Sequence, residues 1–156
     1  MPDRSDPKGQ KAYDDKISAN TAALRGTGEF MFALASMEEI DLDAWNAGRK
    51  NQAWVPKATD WLKKSQTSFR TAFESCSLFK EWFPRERREE VTPDIDYFHE
   101  MDRSIGQVIA TLSRGELPSL AQIHGISAAM REEDVVAERK AVALRGTAGH
   151  FPAGHP

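Results

Sequence analysis

The clearest pattern of apolar and polar positions in the chain lies between Pro56 and Pro84. Its apolar positions are separated alternately by four and three residues, which is the heptad spacing of a helix that packs along a bundle. Large and small side chains alternate within this stripe, an arrangement that allows interdigitation with a partner helix. The pattern predicts a long helix that starts near Pro56, ends around Trp82–Pro84 and buries Ala58, Leu62, Ser65, Phe69, Ala72, Cys76, Phe79 and Phe83.

Two helices are predicted before this one. Over Lys11–Met37 apolar residues recur at helical spacing among many alanines, and Gly26 and Gly28 weaken the helix by about 1 kcal/mol each relative to alanine. These glycines indicate either a kink or the close approach of a neighbouring helix. A short helix follows, with Asp41 as its N-cap and its end near Trp54, because the next proline would bend or end it.

A third long helix is predicted over Thr92–Arg114. Thr92 is its expected N-cap, Pro93 takes the first helical position, and acidic residues occupy the first turn. Ser119 and Gln122 have the spacing of a capping box and predict the start of one further helix. The face of the third helix expected in the core consists of Ile95, Phe98, Ile105, Ile109 and Leu112, with Met101 and Val108 beside them.

These elements predict an all-α protein, an antiparallel helical bundle of three to four main helices with mobile N- and C-terminal tails. No stretch shows the alternation of a strand followed by a hairpin turn. We expect a flexible lead-in over residues 1–9, a single helical-bundle domain over residues 10–145, and a flexible glycine- and proline-rich tail over residues 146–156.

The composition narrows the classes of function. The chain has 156 residues, of which 40% are hydrophobic and 29% charged, as suits a globular domain with its own core. Its net charge of -3 lacks the basic surplus typical of a nucleic-acid binder. The chain has no apolar run near the ~20 residues that span a bilayer, and the start has no signal-peptide pattern. With Cys76 as the single cysteine, we expect a cytoplasmic protein with no nucleic-acid partner and no membrane span.

His99 lies in the segment "HEMDRSIGQV", on the polar side of the third long helix. The segment resembles the box around the phosphate-accepting histidine in the dimerisation helix of sensor kinases. The matching residues are His99, Glu100, Met101, Ile105 and Val108, whereas Asp102, Arg103 and Ser104 stand where that family usually has a basic residue, a small polar residue and a proline. The resemblance implies phosphotransfer on His99, with Glu100 helping to remove its proton. A solvated helix face with local charge pairs is the simpler interpretation.

The sequence gives less support to metal binding, cysteine chemistry or other enzymatic reactions. Asp96 and His99 have the spacing of one ligand pair of a di-iron bundle, but no other histidine has an acid three residues before it. Cys76 falls on the predicted core stripe, where a thiol serves packing and has little reactivity. The sequence has no glycine-rich phosphate loop and no nucleophile elbow. We therefore expect no metal, no cofactor and no enzymatic activity.

The aromatic residues favour a binding function. Four tryptophans lie in the first 100 residues, and tryptophan is common both in cores and in binding hot spots. A bundle with more than one apolar stripe per helix can also self-associate. We expect a non-enzymatic accessory or regulatory protein that forms a homo-oligomer and binds a protein partner through Trp45, Trp54, Trp61, Phe73 and Trp82.

A third possible function comes from the segment "DLDAWNAGRKNQAW". The segment has an acid, spaced alanines and an Arg-Lys-Asn step, and in these features it is similar to the amphipathic segment of phasins. Phasins coat polyhydroxyalkanoate granules. The resemblance implies a surface-active protein that coats an apolar particle.

Overall fold

In the computed structural model, which describes residues 6–133, every regular element is a helix. The helices are α1 (Pro7–Met37), α2 (Leu42–Asn46), α3 (Trp54–Lys80), a 3-10 helix (Arg85–Glu90), α4 (Thr92–Ser113) and α5, which is described over 120–133. The predicted all-α class is therefore confirmed, while the antiparallel arrangement of the whole bundle stays a prediction. The tail predicted over 146–156 lies outside the described residues.

The chain divides into two compact units, Met1–Pro118 and Ser119–Pro156. The first unit contains α1 to α4, and the described part of the second is α5. The predicted capping box opens α5: the backbone N–H of Gln122 donates to Ser119 Oγ at 3.1 Å, and the backbone N–H of Ser119 donates to Gln122 Oε1 at 3.2 Å. The single domain over 10–145 stays a prediction, because compactness does not establish which parts fold independently.

α1 begins earlier than its apolar pattern predicted. The carboxylate of Asp6 accepts a 2.7 Å hydrogen bond from the backbone N–H of Gly9, and Pro7 occupies the first helical position. A proline is favoured there because its missing N–H would have no partner inside the helix. The chain therefore enters the helix at Pro7 instead of near Lys11, and α1 continues as one helix to Met37.

α3 is the central helix of the first unit, because it packs against both α1 and α4. Its contacts with α1 join opposite ends of the two helices. Ser18, early in α1, shares a 3.0 Å hydrogen bond with Ser75, late in α3. Lys57, early in α3, forms a 3.4 Å ion pair with Glu39, just after α1 ends. The two helices therefore lie side by side over most of their length.

The stripe predicted along α3 is buried, with one exception. Seven of its eight members are buried, while Phe83 is half-buried beyond the end of the helix at Lys80. α3 begins at Trp54, so Pro56 falls in its first turn, where a proline is tolerated. α2 ends at Asn46 and is shorter than predicted.

α4 packs on the other side of α3, and its buried face differs from the predicted one. The Arg70 guanidinium of α3 makes two 3.1 Å bonds to the Asp102 carboxylate of α4. Ile95 and Ile109, expected in the core, are only half-buried. α4 is rotated slightly about its own axis relative to the prediction, so that the adjacent stripe of apolar residues faces the core instead. That buried stripe consists of Phe98, Met101, Ile105, Val108 and Leu112.

The entry into α4 also differs from the prediction. Residues Arg85–Glu90 form a 3-10 helix, and Val91 follows it as the cap of α4 without a side-chain capping bond. The hydroxyl of Thr92 donates back to the carbonyl of Arg88 at 3.5 Å. The prediction of Thr92 as the N-cap is therefore wrong, because this side chain bonds the preceding turn.

Candidate functional site

The side of α1 that packs on α3 consists mainly of small residues. Gly26 marks the closest approach: a Cβ at this position would lie 2.8 Å from Cε2 of the Phe69 ring. The carbonyl of Gly26 also accepts a 2.6 Å hydrogen bond from the buried hydroxyl of Ser65. At this point the Phe69 ring of α3 leaves no room for a side chain on α1. The buried residues of α1 are Gly9, Ala12, Asp15, Ala19, Ala22, Gly26, Phe30 and Ala33.

Four large apolar residues of α1 are exposed, and three of them lie on the side of the helix opposite α3. Ile17, Leu24 and Met31 are seven residues apart, so they share one face about two helical turns from each other. Their exposed fractions are 54%, 73% and 48%, and neighbouring Phe32 is 57% exposed. These four are half of the eight large hydrophobic residues that are exposed among residues 6–133. Apolar surface concentrated in this way is typical of interaction sites.

Small residues separate the large ones on this face. Thr21 and Ala35 are exposed, and a Cβ at Gly28 would meet no atom within 4 Å. Successive members of the face are again four and three residues apart, the spacing of a helix-packing stripe. We call this set the outward face of α1; it consists of Ile17, Thr21, Leu24, Gly28, Met31 and Ala35.

The outward face carries no charge. Arg25 and Glu29 are the only charged residues over 17–37, and both bond to Ser68 of α3. Arg25 Nε donates to Ser68 Oγ at 3.3 Å, and Ser68 Oγ donates to Glu29 Oε1 at 2.5 Å. These side chains line a shallow groove of about 340 Å³ beside α3. The outward face, about 27 Å long at 1.5 Å per residue, is left neutral.

Phe32 connects the outward face to α3. Its ring stacks on Trp61 with a centroid separation of 4.8 Å and an interplanar angle of 25°. The ammonium of Lys64 lies 4.5 Å from the Trp61 ring centroid, a cation–π contact. Trp61 is half-buried. One of the five predicted partner-binding residues therefore borders the outward face and extends its apolar surface.

The other four predicted partner-binding residues do not form one exposed surface. Trp45 and Trp54 are only 5% and 2% exposed, with their ring centroids 5.5 Å apart. The indole N–H of Trp54 donates to Gln52 Oε1 at 2.9 Å, so this ring is satisfied inside the protein. Phe73 and Trp82 are half-buried at separate positions on α3 and after it. A binding role for these four residues stays a prediction, which burial does not favour for Trp45 and Trp54.

His99 is exposed on α4, as phosphotransfer requires, but its acidic neighbour is occupied. Glu100 accepts hydrogen bonds of 2.7 to 3.2 Å from the Arg103 guanidinium and one of 3.1 Å from the Ser104 hydroxyl. The bond from Arg103 lowers the pKa of Glu100. A carboxylate held in this way is a weaker base. Glu100 is therefore poorly suited to accept a proton from His99. The centroid of the His99 ring lies 5.5 Å from that of the Phe73 ring of α3.

Within the described range there is neither an exposed cysteine nor a cluster of metal-ligating side chains. Cys76 is buried, and burial raises the pKa of its thiol to about 12, which suppresses the reactive thiolate. Over residues 6–133 no group of three or more His, Cys, Asp or Glu side chains could hold a metal ion. None of the helices described is both long and apolar enough to cross a bilayer.

Known proteins give no lead to the function. No family model matches the chain, and no curated protein or solved structure matches it.

Periodicity alone did not reveal the outward face. α1 carries one stripe of small residues and another of large ones, and both have helical spacing. Spacing cannot tell which stripe meets a neighbouring helix. The available signal was the scarcity of charge over 17–37, since a helix with one solvated face normally carries charges there.

Proposed function

We propose that this protein works by binding another protein chain through the outward face of α1. The observation that carries the proposal is Leu24, which is 73% exposed between Ile17 and Met31 on a neutral helix face. Burying apolar surface stabilises a complex by roughly 25 cal/mol per Å² before the costs of association. This is the accessory or regulatory binding function expected from the sequence, with its site on α1 and bordered by Trp61.

The chemistry of the face favours an apolar helical partner. A nucleic acid or an acidic peptide would need cations, and the outward face has none. The small positions, such as Gly28, leave depressions between the large side chains, and these can receive the side chains of a second helix.

Photo-crosslinking in cells tests this function. A photoreactive phenylalanine analogue would replace Leu24 in one variant and Gln107, an exposed residue of α4, in a matched control. We expect position 24 to give discrete protein adducts that position 107 does not give. Equal or absent adducts at the two positions would contradict binding through this face.

A second function, phosphotransfer, is favoured by the exposure of His99. The test is incubation with a small phosphodonor such as acetyl phosphate, comparing the protein with its His99→Ala variant. Acid-labile phosphate that depends on His99 would support it. Equal labelling of both proteins, or none, would exclude this function without touching the binding proposal.

A granule coat, the third expectation, would use the same apolar face against an apolar particle. It predicts that the protein partitions onto oil droplets and that Leu24→Glu reduces this partition, whereas the control Gln107→Glu does not. Exclusion of the unaltered protein from droplets would eliminate this function and leave a protein partner.

A further inference from the structure

We infer that the occupant of the outward face is a second copy of this chain, so that two α1 helices pack antiparallel about a two-fold axis level with residue 26. This inference rests on the proposed function and adds the identity of the partner. It follows from the order of large and small residues on the face, from the size of the face and from its lack of charge.

The order of residues makes the face complementary to itself in the antiparallel direction. With the axis level with residue 26, Leu24 lies opposite Gly28 of the second copy, and Ile17 lies opposite its Ala35. Met31 likewise lies opposite Thr21. Each large side chain meets a small residue, and the two-fold axis repeats every contact, as an isologous interface requires.

The parallel arrangement lacks this fit. In register, Leu24 would face its own copy and Gly28 would face another glycine. Layers of two large residues would alternate with layers that leave space, and unfilled space costs packing contacts. Gly28 shows the difference most clearly, because a Cβ placed there meets no atom within 4 Å in the single chain.

The size of the face suits a dimer that dissociates on dilution. The exposed parts of Ile17, Leu24, Met31 and Phe32 amount to roughly 400–600 Å² per copy, the size of a large apolar patch on a monomer. Two copies would bury roughly 1,000 Å², near the lower limit for a specific interface. We expect a dimer in exchange with its monomer.

The lack of charge on the outward face gives the dimer an ionic signature. None of the six residues of the face is charged, so the contacts between the two faces include no ion pair that salt could screen. The dimer should therefore not weaken as the salt concentration rises, the opposite of an interface held by ion pairs.

Sedimentation of the full chain over a hundredfold range of concentration tests for the dimer. The unaltered protein and Gln107→Glu should pass from monomer to dimer, while Leu24→Glu stays monomeric with unchanged helical circular dichroism. Gly28→Phe is a second variant, since it fills the depression and its Cβ meets no atom within 4 Å in the single chain; its circular dichroism should also match that of the unaltered protein. It should weaken the dimer at least tenfold. An unaltered protein that is monomeric throughout, or a dimer insensitive to both substitutions, would overturn the inference.

Disulfide crosslinking tests the direction of the helices. In a Cys76→Ala background, Ile17→Cys and Ala35→Cys proteins should crosslink when mixed and oxidised, but neither should crosslink with itself. Antiparallel packing places the two copies of residue 35 about 27 Å apart, far beyond the reach of a disulfide. Crosslinking of Ala35→Cys with itself would refute the antiparallel arrangement.

Different results would contradict the binding function and the identity of its partner as a second copy. A chain that is monomeric in solution, yet gives adducts with other proteins from position 24, contradicts the second copy and leaves the binding function intact. The absence of any adduct from position 24 contradicts both.

Discussion

Two glycines in α1 have opposite surroundings although only one residue separates them. Gly26 faces α3, where a Cβ would lie 2.8 Å from the Phe69 ring, and Gly28 faces open space. The first is needed for the close packing of two helices. The second weakens the helix, and a Cβ placed there would meet no atom within 4 Å, so no close contact in the single chain requires a glycine at this position.

Alanine substitutions should separate these two roles. Gly26→Ala should lower the free energy of unfolding by about 1–3 kcal/mol, because Phe69 is fully buried and cannot move away freely. Gly28→Ala should raise it by about 0.5–1 kcal/mol through helix propensity. Denaturant unfolding measures both changes, at a protein concentration low enough that the free energy of unfolding no longer depends on protein concentration. Changes of the same sign would refute this assignment.

Cys76 should react slowly while the protein is folded. Its pKa is raised from 9.0 to about 12 by burial, which lowers the thiolate fraction at pH 8 about a thousandfold, tenfold for each pKa unit. Labelling with a thiol reagent should be slower by at least this factor than in denaturant. Equal rates would contradict the burial of Cys76.

The raised pKa of Cys76 also determines the direction in which stability changes at alkaline pH. Between pH 9 and 12 the unfolded chain loses the thiol proton while the folded chain keeps it. This group's contribution to the free energy of unfolding therefore falls as pH rises through that window, and Cys76→Ala should remove this part of the alkaline dependence.

At the scale of elements, α1 and α3 are joined by a buried hydrogen bond as well as by packing. The Ser65 hydroxyl, fully buried, donates to the Gly26 carbonyl at 2.6 Å. In contrast, the Ser77 hydroxyl of α3 donates to the carbonyl of Phe73 within its own helix. The two serines therefore differ in whether they connect two elements.

Ser65→Ala should lower the free energy of unfolding by about 0.5–1.5 kcal/mol, the usual contribution of a buried hydrogen bond. Ser77→Ala is the matched control and should change it little, because alanine favours the helix and only an intrahelical bond is lost. Chemical denaturation of both variants measures the difference. A control that costs as much as Ser65→Ala would contradict a specific link between α1 and α3.

Helix starts were predictable where a side chain caps the backbone. Asp41 accepts from the backbone N–H of Ala44 at 3.1 Å, as expected from its place before α2. The loop after α2 could not be predicted in this way. Gln52 holds it by accepting from the backbone N–H of Asp41 at 2.9 Å and donating to the carbonyl of Arg49 at 3.0 Å. The bond to Asp41 joins residues on either side of α2, which only the folded chain brings together.

At the scale of the whole molecule, self-association should make the thermal stability depend on protein concentration. A dimer formed by the folded chain stabilises it by mass action, so the melting temperature should rise with protein concentration. Leu24→Glu should abolish this dependence without lowering the melting temperature at the lowest concentration, because Leu24 is 73% exposed. Thermal unfolding across a hundredfold range measures both. A melting temperature independent of concentration in the unaltered protein would contradict the dimer.

The sequence by itself determined the all-α class, the approximate position of each long helix and seven of the eight predicted members of the buried stripe of α3. Periodicity was sufficient there, because α3 has a single dominant stripe of large and small residues. Only the tertiary structure decided which face of α1 is buried. Both of its stripes have helical spacing, but the close approach of Gly26 to the Phe69 ring admits only the small one. Ile17, Leu24 and Met31 are consequently left facing outward.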